Sequence, residues 1–391
     1  MARIYFDHHA TTPVAPEVLS AMLPFFGERF GNAGSRQHSF GQEAWEAVEK
    51  ARGEVAALIG ASPGEIVFTS GATESCNLAV KGVARSLAGR GRHLVTTAIE
   101  HAAVLESCRS LEREGFEVTR VAPASDGLVS PDAVREALRP DTVLVAVMAA
   151  NNEIGTLQPV AEVAALCHRQ GVPFFSDAVQ AVGRIAVDVD RWGVDLASLS
   201  AHKMYGPKGV GALYVRRSRR PKLRLAAQVQ GGGQERGLRS GTLNVPGIVG
   251  LGEAARQARD ALEAGEGERL GGLRDRLLAG LRVHLDGVEV NGALSPRLPG
   301  NLHISIAGVE AETLILAMGG RVALSSGATC SEVEAKGSHV LRAMGLTEER
   351  VYSALRFGLG RYNTEAEVDV VVEALAQAVR EARARSHPAR V

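Results

Sequence analysis

Short apolar segments alternate with longer amphipathic segments over the first two thirds of the chain. The short segments are rich in Val, Ile, Leu and Phe, which predicts β-strands at 65–69, 93–97, 142–148, 173–177, 195–200 and 212–215. Helical spacing of apolar residues occupies the segments between them, as at 43–59, 131–138 and 160–170. Strands that alternate with helices predict an α/β fold with a mostly parallel sheet covered by helices on both faces.

The pattern changes after residue 247. A long helical segment runs to about residue 284, and short strand patterns follow near 288–290, 302–306, 322–325 and 354–359. The last helix is predicted to begin near Thr364, where a capping-type sequence stands. We therefore predict a large domain at 16–247 and a small domain that combines 1–15 with 248–391.

Composition and charge narrow the class of protein. The chain has 391 residues with 44 basic and 44 acidic side chains, and a net charge of zero does not favour nucleic acid or a membrane surface as the main partner. No apolar run reaches the length of about 18 residues that spans a membrane, and no signal segment is visible, so we expect a cytoplasmic protein. None of the four cysteines (Cys76, Cys108, Cys167 and Cys330) forms a C-x-x-C pair, and no metal site is predicted.

Five segments with polar or reactive side chains follow predicted strands. Ligands of open α/β sheets bind beyond the carboxyl ends of the strands, so these segments are candidates for one site. Each segment taken alone is better explained by a structural feature such as a helix cap, a turn, an arginine pair or a structural histidine. The segments are Ser70-Gly71-Ala72-Thr73-Glu74, Glu100-His101, Asn151-Asn152-Glu153-Ile154-Gly155, Ser176-Asp177-Ala178-Val179-Gln180 and Ser200-Ala201-His202-Lys203-Met204-Tyr205-Gly206-Pro207-Lys208-Gly209.

The five segments together meet the requirements of pyridoxal phosphate (PLP). Small residues and the Thr73 hydroxyl at a helix start bind an anion through free backbone N–H groups. Asp177 at the end of an apolar strand needs a cation such as a protonated pyridine nitrogen. Lys203 follows an apolar strand, where partial desolvation lowers the pKa of its amine and favours reaction with a carbonyl. A PLP enzyme that carries the cofactor on Lys203 is therefore predicted.

These motifs identify a family. The chain resembles the cysteine desulfurases, within the fold-type I (aspartate aminotransferase-like) PLP enzymes. The resemblance implies a large domain with a mostly parallel seven-stranded sheet and a smaller C-terminal α/β domain. Besides the five segments it rests on Tyr5-Phe6-Asp7, Ala10-Thr11-Thr12-Pro13, Phe30-Gly31-Asn32, Phe68-Thr69, Gly231-Gly232-Gly233-Gln234-Glu235-Arg236-Gly237, Arg239-Ser240-Gly241-Thr242 and Arg356-Phe357.

The resemblance also implies a role for each matching residue. Lys203 would bind PLP and move protons, His101 would stack on the pyridine ring and assist acid–base steps, and Asp177 would pair with the ring nitrogen. Arg356, with Asn152, would bind the substrate carboxylate, which suits a bidentate guanidinium. The further cofactor contacts would be Asn152 and Gln180 at the phenolic oxygen, Ala72, Thr73, Ser200 and His202 at the phosphate, and Thr242 at the phosphate of the neighbouring subunit in a homodimer with shared sites.

Cys330 is the residue that sets this family apart. The resemblance implies that its thiolate attacks the sulfur of L-cysteine, which leaves alanine and a persulfide for protein acceptors such as an iron–sulfur scaffold or a sulfur carrier. Cys330 would at most touch an iron–sulfur cluster transiently. This chain has Ala328-Thr329 where the family usually has Ser-Ala, which leaves the loop conformation and the sulfur acceptor open.

Other functions stay open at this point. A small-molecule aminotransferase or a kynureninase-like lyase would use Lys203 and Asp177 without needing Cys330. A selenocysteine lyase is a closer alternative. A sulfur carrier or assembly scaffold without enzymatic activity would not need Lys203, Asp177 and His101 together.

Overall fold

The computed structural model describes residues 3–219, 221–326 and 337–386, without the side chain of residue 386. The strands are β1 (Ile4–Tyr5), β2 (Ile66–Thr69), β3 (His93–Thr97), β4 (Glu117–Val121), β5 (Thr142–Ala146), β6 (Phe174–Asp177), β7 (Leu196–Ser200), β8 (Gly211–Val215), β9 (Val288–Val290), β10 (Asn301–Ile306), β11 (Val322–Ala323), β12 (Ser325–Ser326) and β13 (Ala354–Gly358). The helices are α1 (Pro16–Met22), α2 (Ser39–Leu58), α3 (Ala72–Ser86), α4 (Ala102–Glu112), α5 (Pro131–Ala137), α6 (Val160–Arg169), α7 (Val189–Trp192), α8 (Val245–Glu263), α9 (Glu266–His284), α10 (Ala311–Ala317), α11 (His339–Ala343), α12 (Glu348–Tyr352) and α13 (Glu365–Ser386).

A seven-stranded sheet with the order β2-β8-β7-β6-β5-β3-β4 forms the centre of the large part of the fold. Strand β8 runs antiparallel to both of its neighbours, and the other pairs are parallel. The predicted fold class is confirmed, and all six strands predicted from the apolar pattern are present. The pattern missed β4, because this edge strand has the polar sequence EVTRV and is largely solvent-accessible.

Helices cover both faces of this sheet. Ile66 and Phe68 of β2 pack into one apolar cluster, with α2, α6 and α8, whereas Val67 packs into a second cluster with α3 and α4. Successive side chains of a strand point to opposite faces, so a continuous apolar run serves both clusters.

A second, antiparallel sheet with the order β12-β13-β10-β9 lies in the C-terminal part. It packs with α9 and α13 around a separate apolar cluster that also contains Phe6. The long helix predicted after residue 247 is two helices, α8 and α9, because Gly265 takes a left-handed conformation between them. Helix α8 packs with the large sheet, and the domain boundary near residue 247 stays a prediction.

The N-terminal segment connects the two sheets. Strand β1 pairs in parallel with β11, and Asp7 forms a backbone bridge with Gly358 at the end of β13. The chain then crosses to the segment after β7, where the Thr12 N–H donates to the His202 carbonyl oxygen at 2.9 Å. This path carries residues 8–11 past Lys203. In the described part of the chain, no helix has the length and apolarity needed to cross a membrane.

Candidate active site

A cavity of about 520 Å³ lies at the carboxyl ends of the large-sheet strands. This volume is in the range typical of small-molecule and cofactor sites. Its walls include most of the predicted site residues, which come from segments far apart in the chain: Ala72, Thr73, His101, Asn152, Asp177, Gln180, Ser200, His202, Lys203 and Arg356.

Lys203 follows β7 in a short 3₁₀ turn, Ala201–Lys203. Its Nζ atom donates to the carbonyl oxygens of His9 and Ala10, both at 2.7 Å. Burial is the main cause that lowers the pKa of the amine to about 7, and the positive charges of Arg184 and Arg356 lower it further. The lowered pKa increases the fraction of unprotonated amine at neutral pH, and this is the form that reacts with an aldehyde.

Asp177 ends β6 and is 6% exposed. Its Oδ1 atom accepts hydrogen bonds from the Ser198 hydroxyl at 2.9 Å and from the Val179 N–H at 3.1 Å. Among the described residues, no arginine or lysine lies within ion-pair distance of this carboxylate. A buried carboxylate on a cavity wall needs a positive partner, and a protonated ring nitrogen is one.

Another part of the cavity wall suits an anion. Helix α3 begins at Ala72, and the first N–H groups of a helix have no intrahelical acceptor. Ser200 and His202 line the same cavity, and the Nδ1 atom of His202 is 3.1 Å from the Thr11 hydroxyl. Burial and the positive charge of Lys203 lower the pKa of His202 to about 4, so this side chain is a neutral hydrogen-bonding group.

His101 both caps a helix and lines the cavity. Its Nδ1 atom accepts from the Ala103 N–H at 3.1 Å at the start of α4. In the neutral ring the proton is then on Nε2. The structural and the functional interpretation of this histidine are thus compatible.

Arg356 in β13 is 1% exposed, and the protein already uses part of its guanidinium. The Nη2 atom donates to Asp7 Oδ1 at 3.0 Å and to the Ser325 hydroxyl at 3.1 Å, and Nη1 donates to the Asn152 carbonyl oxygen at 3.0 Å. A guanidinium has two protons on each Nη atom. One Nη1 proton therefore remains available to a ligand, and an Nη1–Nη2 fork for a carboxylate is not free.

Two predicted residues lie elsewhere. Thr242 is exposed and does not line the cavity of its own chain. Cys330 falls outside the described residues. Cys76, Cys108 and Cys167 are fully buried in helices, where each acts as a small core side chain.

The sequence predicted no role for residues 9–11, although they line the cavity beside Lys203. The only signal was the motif Ala10-Thr11-Thr12-Pro13, which contributes backbone carbonyls and one hydroxyl, and such contacts leave no residue-type signature. The sequence predicted no role for Arg184 either, because a single arginine after a strand has no distinctive pattern.

The residues present fit PLP. An amine with a pKa near 7 matches the aldehyde of this cofactor, and a buried carboxylate with no cation beside it among the described residues matches the ring nitrogen. A helix start with hydroxyl groups near it matches the phosphate.

Comparison with known proteins gives the same answer. The aminotransferase class-V family model matches residues 4–371. Cysteine desulfurase IscS of Anaeromyxobacter dehalogenans is 56% identical over 383 residues, which cover 98% of this chain and 94% of the relative. A solved structure described as a NifS-like protein is 40% identical with a TM-score of 0.90, covering 97% of this chain and 100% of that one. SspA in complex with cysteine is 36% identical with a TM-score of 0.80, covering 92% and 100%.

The chain belongs to the aminotransferase class-V family of PLP-dependent enzymes, and within it to the cysteine desulfurases. The predicted family and cofactor are thereby confirmed.

Proposed function

We propose that this protein removes sulfur from L-cysteine, releases L-alanine and holds the sulfur as a persulfide on Cys330. The carrying observation is that Lys203, an amine of lowered pKa, and Asp177, a carboxylate with no ion-pair partner among the described residues, line one cavity. The cysteine desulfurase relative and the similar solved structure of SspA in complex with cysteine support cysteine as the substrate.

The cofactor would be held by residues at three places of the cavity. Lys203 would bind its aldehyde, Asp177 its ring nitrogen, and the start of α3 with Ser200 and His202 its phosphate. Gln180 and Asn152 would lie near the phenolic oxygen. When bound, PLP supplies an electron sink for the negative charge that develops at the substrate Cα.

The chain's own groups would bind and orient cysteine. The free Nη1 proton of Arg356 and the side-chain amide of Asn152 would donate to the substrate carboxylate, since Asp7 and Ser325 occupy both protons of Nη2. Lys203 would remove the proton at Cα, and His101 would hold or deliver a proton through Nε2.

Cys330 would act as the nucleophile. Its thiolate attacks the substrate sulfur, the new S–S bond forms as the C–S bond breaks, and the electron pair of that bond stays with the carbon fragment, which gains a proton to give alanine. Proteins of iron–sulfur cluster assembly or sulfur carriers are the proposed acceptors, and the cytoplasm is the proposed location.

The test measures alanine and sulfide after purified protein is mixed with L-cysteine and a reductant. We expect the wild type to form both products and Cys330→Ala to form neither while it keeps the visible absorption of bound PLP. Cys167→Ala, which removes a buried helical thiol, serves as the matched control and should stay active. An active Cys330→Ala protein would exclude Cys330 as the nucleophile.

A homodimer with shared sites is part of the proposal. The exposure of Thr242, away from the cavity of its own chain, supports its use by a neighbouring subunit. Light scattering should give twice the chain mass, and Thr242→Ala should weaken PLP binding. Mixed dimers of Thr242→Ala with Lys203→Ala chains should regain one intact site, and mixtures that stay inactive would contradict the sharing.

A further inference from the structure

Arg184 lies behind the reactive lysine rather than in the wall of the main cavity. It lines a small second cavity that has His9 and Lys203 in common with the first. The preceding Gly183 has φ of +78°, and a Cβ there would lie 2.9 Å from the Cβ of Met204. Only a glycine permits this approach without strain, and it brings Arg184 against the segment that carries Lys203.

The guanidinium of Arg184 joins three separate segments of the active site. Its Nη2 atom donates to the carbonyl oxygen of His8 at 2.6 Å and to that of Lys203 at 3.2 Å. Its Nη1 atom donates to Gln180 Oε1 at 2.6 Å and also contacts His9 Nδ1. One side chain therefore holds the N-terminal segment, the segment after β6 and the segment after β7 together.

The contacts with His9 fix where the lysine amine lies. The His9 carbonyl oxygen accepts from Lys203 Nζ at 2.7 Å and from Gln180 Nε2 at 3.0 Å. Nδ1 of His9 contacts Arg184 Nη1 and lies 3.1 Å from Gln180 Oε1, and beside the Arg184 cation the ring is neutral. Burial and the charge of Arg184 keep the pKa of His9 well below its usual value, which agrees with this neutral form.

The charge of Arg184 also acts on Lys203. Within the described residues, no carboxylate lies at ion-pair distance from Arg184, so its charge is not cancelled locally. Burial lowers the pKa of Arg184 only to about 10, and the group stays charged at neutral pH. The other charged groups that act on Lys203 are Arg356, Asp7 and Asp177.

We propose that Arg184 is a positioning residue of this active site: it holds residues 8–10 and Gln180 against Lys203, and its positive charge disfavours the ammonium form of Lys203. The proposal rests on the proposed function only in taking Lys203 as the lysine that binds PLP.

Three kinds of variant separate charge, geometry and burial. Arg184→Gln and Arg184→Met remove the charge, and Met keeps most of the aliphatic stem. Arg184→Lys keeps the charge but has no planar fork for the His8 and Lys203 carbonyls. Arg297→Gln is the matched control, because Arg297 is also a buried arginine that donates to carbonyl oxygens, well away from Lys203 in the contacts it makes.

The experiment labels the full-length protein, stripped of PLP, with acetic anhydride over a pH series. Mass spectrometry of the peptide that contains Lys203 gives the pH midpoint of its reactivity. We expect a midpoint near 7 in the wild type and in Arg297→Gln. The neutral Arg184 variants should shift it upward by about one unit, and Arg184→Lys should stay close to the wild type.

Arg184→Lys tests the positioning part. Release of PLP, followed by its absorbance, should be about tenfold faster than in the wild type, the effect of losing about 1.4 kcal/mol of hydrogen bonding. Circular dichroism establishes which variants fold, and either neutral variant suffices. If a folded Arg184→Gln or Arg184→Met protein keeps the wild-type pH midpoint of Lys203 labelling, the charge effect is overturned. If Arg184→Lys releases PLP at the wild-type rate, the positioning role is overturned. Neither measurement uses cysteine, so a protein that releases no alanine but shows both effects would refute only the proposed function.

Discussion

Arg356 and Asp7 form an ion pair whose Nη2–Oδ1 distance is 3.0 Å, between the antiparallel sheet and the N-terminal segment. Ser325 completes the contact, since its hydroxyl donates to Asp7 Oδ1 at 2.9 Å and accepts from Arg356. The contacts with Asp7 and Ser325 use both protons of Nη2, and one proton of Nη1, which also donates to the Asn152 carbonyl oxygen, remains for a ligand. Asp7 therefore orients Arg356, the residue proposed to bind the substrate carboxylate, although Asp7 does not itself line the cavity.

Replacement of Asp7 by alanine should weaken substrate binding. Loss of a charge-assisted hydrogen bond of about 1.5–3 kcal/mol frees Arg356 to leave its orientation, and KM for cysteine should rise about tenfold or more. Steady-state kinetics on Asp7→Ala and Asp7→Asn provides the measurement. Asn keeps one acceptor oxygen and should show the smaller effect. An unchanged KM in Asp7→Ala would mean that Arg356 is oriented by other contacts.

Glu100 should make stability fall as pH rises. Burial is the main cause that raises its pKa from 4.5 to about 8, with the charge of Asp177 adding to it, while hydrogen bonds from the Met148 N–H and the Thr97 hydroxyl oppose the shift. Between pH 4.5 and about 8 the folded protein binds a proton that the unfolded chain has lost, so the free energy of unfolding decreases with pH in this window.

Glu100→Gln removes that titration while it keeps an amide oxygen for the two donors. Thermal unfolding at several pH values should show a flatter dependence in the variant than in the wild type over this window. Parallel curves for the two proteins would show that Glu100 is ionised in the folded state.

The buried pair of Arg52 and Glu235 should contribute far more to stability than an exposed one. Arg52 Nη2 lies 2.8 Å from Glu235 Oε1 and Nη1 lies 2.9 Å from Oε2, and both side chains are almost fully buried. Glu235→Ala removes the buried bidentate partner of Arg52 and leaves it only the more exposed carboxylate of Glu49, so the free energy of unfolding should fall by about 3–5 kcal/mol.

Glu106→Ala is the control for this pair, since Glu106 and Arg109 form an exposed ion pair that should contribute at most about 1 kcal/mol. Urea unfolding of both variants supplies the comparison. Equal losses of unfolding free energy in Glu235→Ala and Glu106→Ala would contradict this prediction.

The buried cysteines should resist alkylation. Burial raises the pKa of Cys108 and of Cys167 to about 12 and that of Cys76 well above its usual value, so their thiolates are scarce and inaccessible. Iodoacetamide under native conditions should add at most one group to the wild type and none to Cys330→Ala, as measured by intact mass. A modified Cys330→Ala protein would show that one of the helical thiols is reachable.

The sequence predicted which segments carry the reactive side chains, but it did not predict which residues contact one another. Asp177 and Lys203 each follow an apolar strand, so their place at one sheet edge follows from the rule for parallel strands. The antiparallel direction of β8 could not be predicted, because an apolar run does not indicate strand direction. The edge strand β4 could not be predicted either, because it has neither an apolar run nor a clear alternation.

The sequence by itself determined the α/β class, the strand ends that bear Asp177 and Lys203, and the family motifs, because periodicity and residue type are local properties. Only the tertiary structure decided that the carbonyls of His9 and Ala10 hold Lys203, that Asp7 turns Arg356, and that Arg184 stands behind the lysine. These contacts join residues separated by 19 to 349 positions, and all except the Asp7–Arg356 pair use backbone atoms, which every residue has. Contacts of that kind depend on how the segments pack, and no pattern within a single segment encodes them.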